Sequence, residues 1–266
     1  MRRTRIIPCL LLRGHGLVKT RRFTDPVYVG DPVNAARIFS EKEADELIVL
    51  DIDATAKRAE PDYRLIQRLA AECRMPLCYG GGIVSPAQAK RIVSLGVEKV
   101  SMSSAALADP SLVTRTADEV GRQSVVVTLD VQTTRGLRGR KYQLRTVNAT
   151  KAQPQDPVQA AQEMQEAGAG EIVINSIDED GRMQGYDLAL ASRMRSSTDV
   201  PLTILGGAGS LADMEALLAE CGVIGAAAGS LFVFKGTYKA VLINYPVRAA
   251  KDRLNGAAYR RPGRAY

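Results

Sequence analysis

The chain has 266 residues, a formal net charge of +7, four cysteines and one histidine. The cysteines show no metal-type spacing, so we expect a reduced, cytoplasmic chain with neither a bound metal nor an organic cofactor. No apolar run approaches the roughly 18 residues that a membrane span needs, and no basic patch interleaved with aromatic residues marks a nucleic-acid binder.

Positive charge is concentrated near the C-terminal end of the chain. Residues 247–266 carry six basic residues against one acidic residue. Because chain ends are commonly poorly ordered unless something ties them down, we predict that this segment is a flexible basic tail.

Before that segment, short apolar runs alternate with helical patterns, which is typical of parallel strands joined by helices. Eight strands are predicted, at Arg5–Leu12, Glu46–Ile52, Pro76–Tyr79, Lys99–Met102, Ser124–Asp130, Glu171–Ser176, Leu202–Leu205 and Gly225–Ala228. Helices are predicted at Pro32–Ala44, Asp62–Cys73, Pro86–Leu95, Pro110–Gly121, Pro157–Ala167, Asp187–Arg195 and Leu211–Ala219, with a last one after Leu231.

An internal repeat indicates how these units are arranged. Residues 75–83 and 200–209 share a Pro-Leu pair and a Gly-Gly pair at a constant offset, and the same offset pairs residues 46–53 with residues 171–178. Eight strand–helix units with twofold repetition predict a (β/α)₈ TIM barrel in residues 1–246, built from half-barrels at about 1–121 and 122–246. The alternative is an open doubly wound sheet, but its phosphate loop would follow the first strand, whereas these glycine loops follow strands three and seven.

Two long loops interrupt the alternation. Residues 13–30 are basic and contain glycine, and they are a candidate lid over the barrel. Residues 131–150 are also basic and are predicted to include a small hairpin.

In such a barrel the active site lies at the C-terminal ends of the strands. Glycines there let backbone N–H groups converge on an anion, so two symmetry-related glycine loops predict two phosphate cradles on one rim. The alternative is that the glycines only make tight turns. The candidate residues at these strand ends are Asp51, Asp53, Gly81, Gly82, Ser103, Ser104, Asp130, Asp180, Gly206, Gly207, Gly229 and Ser230.

Four charged residues mark the opposite ends of the strands. Arg5, Glu46, Lys99 and Glu171 each stand at the beginning of a predicted strand. Charges there commonly only solvate the bottom of a barrel. Since two are positive and two negative, they could instead form a closed ring of ion pairs across the axis.

Many motifs together resemble the cyclase subunit of imidazole glycerol phosphate synthase, over nearly the whole chain to about Phe234. They are Arg5-Ile-Ile-Pro-Cys, Gly30-Asp-Pro, Asp45-Glu-Leu, Gly80-Gly-Gly-Ile, Lys99-Val-Ser, Gln123-Ser-Val-Val-Val, Asp130, Gly168-Ala-Gly-Glu, Ser176-Ile-Asp, Asp180-Gly, Gly185-Tyr-Asp and Gly206-Gly-Ala-Gly.

The resemblance implies a partner, a substrate class and residue roles. Members of that family take ammonia from a glutaminase docked at the barrel bottom and pass it along the axis to a bisphosphate at the top. The charged residues at the strand starts match the family's ammonia gate. Matches to its substrate and phosphate contacts are Lys19, Gly82, Ser104, Asp180, Gly207 and Ser230.

One departure bears on activity. The family places catalytic aspartates at the ends of strands one and five; Asp130 is present, but the strand-one position is Leu11. Strand two ends in Asp51-Ile-Asp53, where the usual cyclase has a threonine at the second acidic position. Residues 229–236 and 239–246 further resemble a paralogous branch associated with amidine modification of surface-polysaccharide sugars.

Three hypotheses follow from the sequence. The first is a lyase- or amidotransferase-type synthase subunit that channels ammonia toward a phosphorylated sugar, with a third sugar-amidating enzyme as a further candidate partner. The second is a cyclase of histidine biosynthesis that tolerates Leu11. The third is a non-catalytic scaffold that activates a glutaminase.

Overall fold

The structure, a computed structural model, describes residues 3–136 and 139–259. Eight parallel strands form a closed barrel in which each strand pairs with the next and the eighth pairs with the first. The predicted (β/α)₈ fold is therefore confirmed. The strands are β1 (Arg5–Arg13), β2 (Leu47–Asp51), β3 (Leu77–Gly80), β4 (Lys99–Met102), β5 (Val125–Gly136), β6 (Glu171–Ser176), β7 (Leu202–Leu205) and β8 (Gly225–Ala228).

Helices follow the strands and cover the outside of the barrel. Asp31 and Asp156 cap two of them, since each carboxylate accepts an N–H from the first turn and each precedes a proline. No helix within the described residues is long and apolar enough to cross a membrane. The α-helices are Pro32–Glu41, Ala54–Lys57, Tyr63–Glu72, Pro86–Ser94, Ser104–Ala108, Ser111–Val120, Pro157–Glu166, Leu188–Arg195, Leu211–Cys221, Ser230–Val233 and Arg248–Tyr259, with a 3₁₀ turn at Arg122–Ser124.

The last helix corrects the prediction of a flexible tail. Arg248–Tyr259 packs against Leu211–Cys221 and buries Leu254 and Ala258 in the main core. The helix is also tied to the start of β1, where the Thr4 N–H donates to Asn255 Oδ1 at 3.1 Å. Hydrophobic burial on one helix face outweighs the positive charge of this segment. The rest of the predicted tail, residues 260–266, lies outside the described residues.

Between Ser230–Val233 and the last helix, the chain forms a short ribbon. It pairs Phe234–Lys235 with Ala240–Val241. The helix that we predicted after Leu231 is therefore delayed until residue 248.

Both long loops form antiparallel extensions of the barrel sheet. The first strap, residues 16–30, is a hairpin of Gly16–Arg21 with Thr24–Gly30 that also pairs with the end of β1. The second strap, residues 139–150, contains Gly139–Thr146, which pairs with the long β5. The hairpin predicted within residues 131–150 is confirmed.

Side chains alternate between the two faces of each strand, and those that point into the barrel lumen form a small hydrophobic cluster separate from the main core. The residues of this cluster point inward and are nearly inaccessible to solvent, and Leu11 and Leu50 pack on them from above. The barrel is thus a packed core and not an open pore. The cluster consists of Ile7, Cys9, Ile48, Cys78, Val126, Val173, Leu205 and Ala227.

Candidate active site

The C-terminal ends of the strands surround one cavity. Twelve of the residues predicted or implied for the substrate site line it, and so does Leu11. The twelve are Lys19, Asp51, Gly81, Gly82, Ser103, Ser104, Asp130, Asp180, Gly206, Gly207, Gly229 and Ser230.

Asp53 does not join them. Its carboxylate pairs with Lys57 Nζ at 2.6 Å and with Arg13 Nε at 3.8 Å. Asp51, which does line the cavity, uses one oxygen to accept the N–H groups of Asp53 and Ala54. Burial raises the pKa of Asp51, and these backbone hydrogen bonds oppose the rise.

The glycine loops after β3 and β7 need glycine for conformation and for space. All four glycines have a positive φ, between +71° and +127°. A Cβ on Gly81 would lie 2.6 Å from the Asp51 carbonyl oxygen, and one on Gly206 would lie 2.7 Å from that of Ser176. Each loop therefore exposes backbone to the cavity where a larger residue cannot fit.

Each glycine loop stands beside a short helix that begins at the neighbouring strand end. Ser104–Ala108 follows β4 with Ser103 before it, and Ser230–Val233 follows β8 with Gly229 before it. Backbone N–H groups at a helix start are unpaired donors. We call Gly81, Gly82, Ser103 and Ser104 the first cradle. The second cradle is Gly206, Gly207, Gly229 and Ser230.

Asp130 is the ionisable group that β5 contributes to the cavity lining. Burial raises its pKa to about 7, against the hydrogen bond that Asn175 Nδ2 donates to its Oδ1 at 2.9 Å. The negative charge of Asp180 adds to the rise. A carboxyl group with a pKa near neutrality can both accept and donate a proton at physiological pH.

Lys19, a residue of the first strap, interacts with Asp180 beyond the end of β6. Lys19 is almost fully buried, and its Nζ donates to the Cys9 carbonyl oxygen at 2.5 Å. Burial lowers the pKa of Lys19. Burial raises the pKa of Asp180, although Thr20 Oγ1 donates to its carboxylate at 2.6 Å.

Opposite Asp130, the cavity wall is apolar. Leu11 stands at the end of β1, four strands away around the barrel, and packs with Leu50 on the lumen cluster. Neither side chain can exchange a proton. At these matching positions the cavity therefore has the carboxyl group of Asp130 on β5 and leucines on β1 and β2, and Asp51, next to Leu50, is the carboxylate of the β2 end.

At the other end of the axis, the four charged residues at the strand starts form the closed ring considered above. Arg5 bonds Glu46 at 2.6 Å and Glu171 at 2.8 Å, and Lys99 Nζ bonds both carboxylates at 2.8 Å. The carboxylates are almost fully buried. Burial opposes the charged forms, but the opposite charges prevail: the pKa of Glu171 is lowered and the pKa values of Arg5 and Lys99 are raised.

Sequence reasoning missed the neutral partners of these charges. Thr203, fully buried in β7, donates to Glu171 Oε1 at 2.6 Å and accepts from Arg5 at 3.2 Å. Asn175 orients Asp130, and Thr20 holds Asp180. The repeat offers a signal for Asn175, because it stands at the position that corresponds to Leu50 in the first half.

The fold and site define a class of protein: a half-barrel-repeat (β/α)₈ barrel with paired glycine loops at one end and an ion-paired ring at the other. A sequence profile of the histidine biosynthesis protein family matches residues 5–239. The chain belongs to this family.

The chain differs in sequence identity to the curated members of this family. It is 55% identical over 253 residues to a Vibrio vulnificus (strain YJ016) protein provisionally named imidazole glycerol phosphate synthase subunit hisF3, covering 95% of this chain and 96% of the relative. A Leptospira interrogans protein, also provisionally named as a HisF subunit, is 53% identical over 254 residues, covering 96% and 99%. The HisF subunit of Frankia casuarinae is 37% identical over 230 residues, covering 86% and 90%. The chain is thus HisF-like.

Proposed function

We propose that this chain is a synthase subunit that receives ammonia from a glutaminase partner docked at the N-terminal face of the barrel. The ammonia passes along the axis to a phosphorylated sugar-type substrate at the C-terminal face. The two cradles would hold the anionic ends of that substrate, and Asp130 would serve as the acid–base group.

The path between the two ends suits neutral ammonia. The lumen cluster is apolar and closely packed, so ammonia would pass where its side chains move apart. A charge in such a setting is strongly penalised unless paired, so the uncharged molecule passes more readily than ammonium. The ring of Arg5, Glu46, Lys99 and Glu171 closes the lower end with every charge paired, and a docked partner would have to open it.

The proposal rests on one observation: Asp130 stands on β5, whereas the matching position on β1 is Leu11, whose side chain cannot exchange a proton. Attack of ammonia on carbon forms a C–N bond while a C–O bond breaks; the nitrogen gives up one proton to Asp130, which can return it to the departing oxygen, so one acid–base group is enough. A ring closure that needs an acid on one side and a base on the other requires two groups. Leu11 supplies neither, and this favours amidation over cyclisation.

The proposed substrate is a surface-polysaccharide sugar, such as one of an O-antigen. This rests on the resemblance of residues 229–236 and 239–246 to the branch associated with amidine modification. In one form of the proposal the sugar is bound in the barrel. In another, a third sugar-amidating protein takes the ammonia at the mouth.

A second candidate is the cyclase of histidine biosynthesis. It is supported by the HisF name of the 37% identical relative and by the near-neutral pKa of Asp130. Turnover of the histidine precursor with excess ammonium separates the two. We expect rates far below the roughly 1 per second of an ordinary enzyme, and a rate at or above it would favour the cyclase.

The partner is tested with the glutaminase that co-purifies with the tagged chain. We expect its glutamine hydrolysis to rise when the barrel protein is added, and nitrogen from amide-labelled glutamine to reach a product. Stimulation with no ammonia-dependent product would favour the scaffold hypothesis. Absence of any stimulation would contradict the partner.

A further inference from the structure

The first strap crosses the second cradle. Thr20 Oγ1 donates to Asp180 Oδ2 at 2.6 Å and the Arg22 N–H donates to the Asp180 carbonyl oxygen at 3.0 Å, beyond the end of β6. On the other side, Lys19 lies against Gly229, beyond the end of β8. Because β7 stands between β6 and β8, the strap bridges the two strand ends that flank the glycine loop at 206–207.

The second strap makes the corresponding crossing over the first cradle. The Val147 N–H donates to Ser104 Oγ at 3.2 Å, beyond the end of β4. Asn148 Nδ2 donates to the Ile52 carbonyl oxygen at 2.6 Å, beyond the end of β2. Because β3 stands between β2 and β4, this strap bridges the two strand ends that flank the glycine loop at 81–82. Val147 and Asn148 both line the cavity there.

The turn that makes this crossing has an unfavourable backbone. Val147, Asn148 and Ala149 are consecutive non-glycine residues with φ values of +52°, +52° and +64°. Such a conformation is disfavoured for any of these residues and most for β-branched valine. Thr150 supports the turn from within, since its N–H and its hydroxyl both donate to the Val147 carbonyl oxygen. The hydrogen bond from the Asn148 side-chain amide to the Ile52 carbonyl oxygen fixes the turn to the end of β2.

We propose that Asn148 is a specificity-determining residue, which keeps the second strap over the first cradle so that only a terminal phosphate fits there. This rests on the proposed function, in which the cradles bind phosphate. A phosphomonoester reaches the glycine loop from the cavity centre and ends beneath the strap. A phosphodiester carries a second substituent, which would have to occupy the space of Val147 and Asn148.

The test compares three proteins: the wild type, Asn148→Gly and Ala149→Gly. Glycine at 148 keeps the positive φ but removes the amide tether. Glycine at 149 relieves the same kind of strain one residue on, leaves the tether in place and lies outside the cavity lining. Inorganic phosphate, methyl phosphate and dimethyl phosphate are titrated into ¹⁵N-labelled protein. The amide resonances of Gly81 and Gly82 report the first cradle, and those of Gly206 and Gly207 report the second.

In the wild type and in Ala149→Gly, we expect the first-cradle amides to respond to inorganic and methyl phosphate and only weakly to dimethyl phosphate. In Asn148→Gly, dimethyl phosphate should bind the first cradle about fivefold more tightly, as expected for loss of one neutral hydrogen bond. Its binding at the second cradle should not change.

Two results would overturn the inference, and they differ in meaning. If both cradles respond to inorganic phosphate but Asn148→Gly behaves like Ala149→Gly, the assignment of Asn148 is wrong and the phosphate cradles stand. If neither cradle responds to inorganic phosphate, the proposed function itself fails. Unchanged resonances away from the strap serve as the check that each variant is folded.

Discussion

The two halves of the barrel interior differ in chemistry although they share a backbone plan. On β1 and β2, the residues Leu11 and Leu50 line the cavity. The corresponding positions on β5 and β6 are Asp130 and Asn175, joined by a 2.9 Å hydrogen bond. The glycine loops and the straps, by contrast, recur in both halves.

This difference separates two properties of the site. Anion binding by backbone groups depends on the path of the chain, so it is retained wherever the repeat is retained. Proton transfer depends on individual side chains, so it can be confined to one half. In this protein the glycine loops recur in both halves, whereas the carboxyl group whose pKa is raised to about 7, Asp130, stands in one of them.

The largest effect should come from removing the carboxyl group of Asp130 from the half of the cavity formed by β5 and β6, which we call the polar half. Asp130→Asn should lower ammonia-dependent turnover by roughly 10²–10⁴-fold, the usual contribution of a general acid–base group. The wild-type rate should follow a titration near pH 7, because burial raises the pKa of Asp130 to about 7. Steady-state rates from pH 5 to 9 check this.

Asp53→Asn is the matched control for that experiment. It makes the same chemical change in a carboxylate that lies outside the cavity lining and pairs with Lys57 and Arg13. Its rate and pH profile should match those of the wild type. Equal losses in the two variants would contradict a special role for the polar half.

The ring at the barrel bottom joins residues of both halves, and opening it should have the next largest effect. Lys99→Met leaves Glu46 and Glu171 with one buried cation fewer, so we expect a loss of roughly 3–5 kcal/mol in the free energy of unfolding. Glutamine-dependent product formation should fall relative to the ammonium-dependent rate. Denaturant unfolding and paired assays measure the two effects.

Lys90→Met, which breaks the exposed pair of Lys90 with Glu119, serves as the control. Surface pairs contribute little, so stability and coupling should both stay near the wild type. If Lys99→Met behaves the same way, the ring is ordinary surface charge and does not control the axis.

The buried carboxyl of the polar half should also make stability depend on pH. The pKa of Asp130 is raised to about 7 in the folded state, against roughly 3.9 when unfolded. Between about pH 4 and 7 the unfolded state therefore releases a proton that the folded state retains, and stability falls as pH rises. Asp130→Asn should remove this fall, and its stability relative to the wild type should be about 3–4 kcal/mol more favourable at pH 8 than at pH 4. A difference that does not vary with pH would contradict this.

The smallest expected effect comes from adding an ionisable group to the apolar half. Leu11→Asp should raise turnover of the histidine precursor by about tenfold, well short of a full acid–base contribution. Recovery is partial because Leu50 and the lumen cluster keep the site apolar, and burial raises the pKa of a new carboxyl. Leu50→Asp, which adds the same charge one strand away, should give no gain. An equal gain in both variants would show that the position does not matter.

Much of the fold could be predicted from the sequence because strand–helix alternation and the repeat are local patterns. The last helix was missed for a different reason. Charge dominates the composition of residues 247–266, yet Ala250, Leu254, Ala257 and Ala258 fall on one buried face. The helical spacing was available in the sequence and the composition obscured it.

The site was predictable to the extent that it lies at strand ends. Asp53 lies outside the cavity lining because proximity to a strand end does not determine where a side chain points, and its carboxylate pairs with two neighbouring cations. Thr203 and Thr20 could not be found because each acts through a partner far along the chain. Such contacts exist only once the barrel has closed.

The closure of the barrel has a consequence for how the chain folds during synthesis. β1 requires β8 as its second neighbour, through the pairing of Arg5 with Gly225, and the helix Arg248–Tyr259 then packs beside the start of β1. At about 5–20 residues per second, more than ten seconds separate the translation of β1 from that of its last contacts. Throughout that interval β1 has an unpaired edge, a template for wrong pairing with another chain. Temporary cover for that edge, by a chaperone or by the first strap, would therefore matter most for this protein before its own C-terminal helix is made.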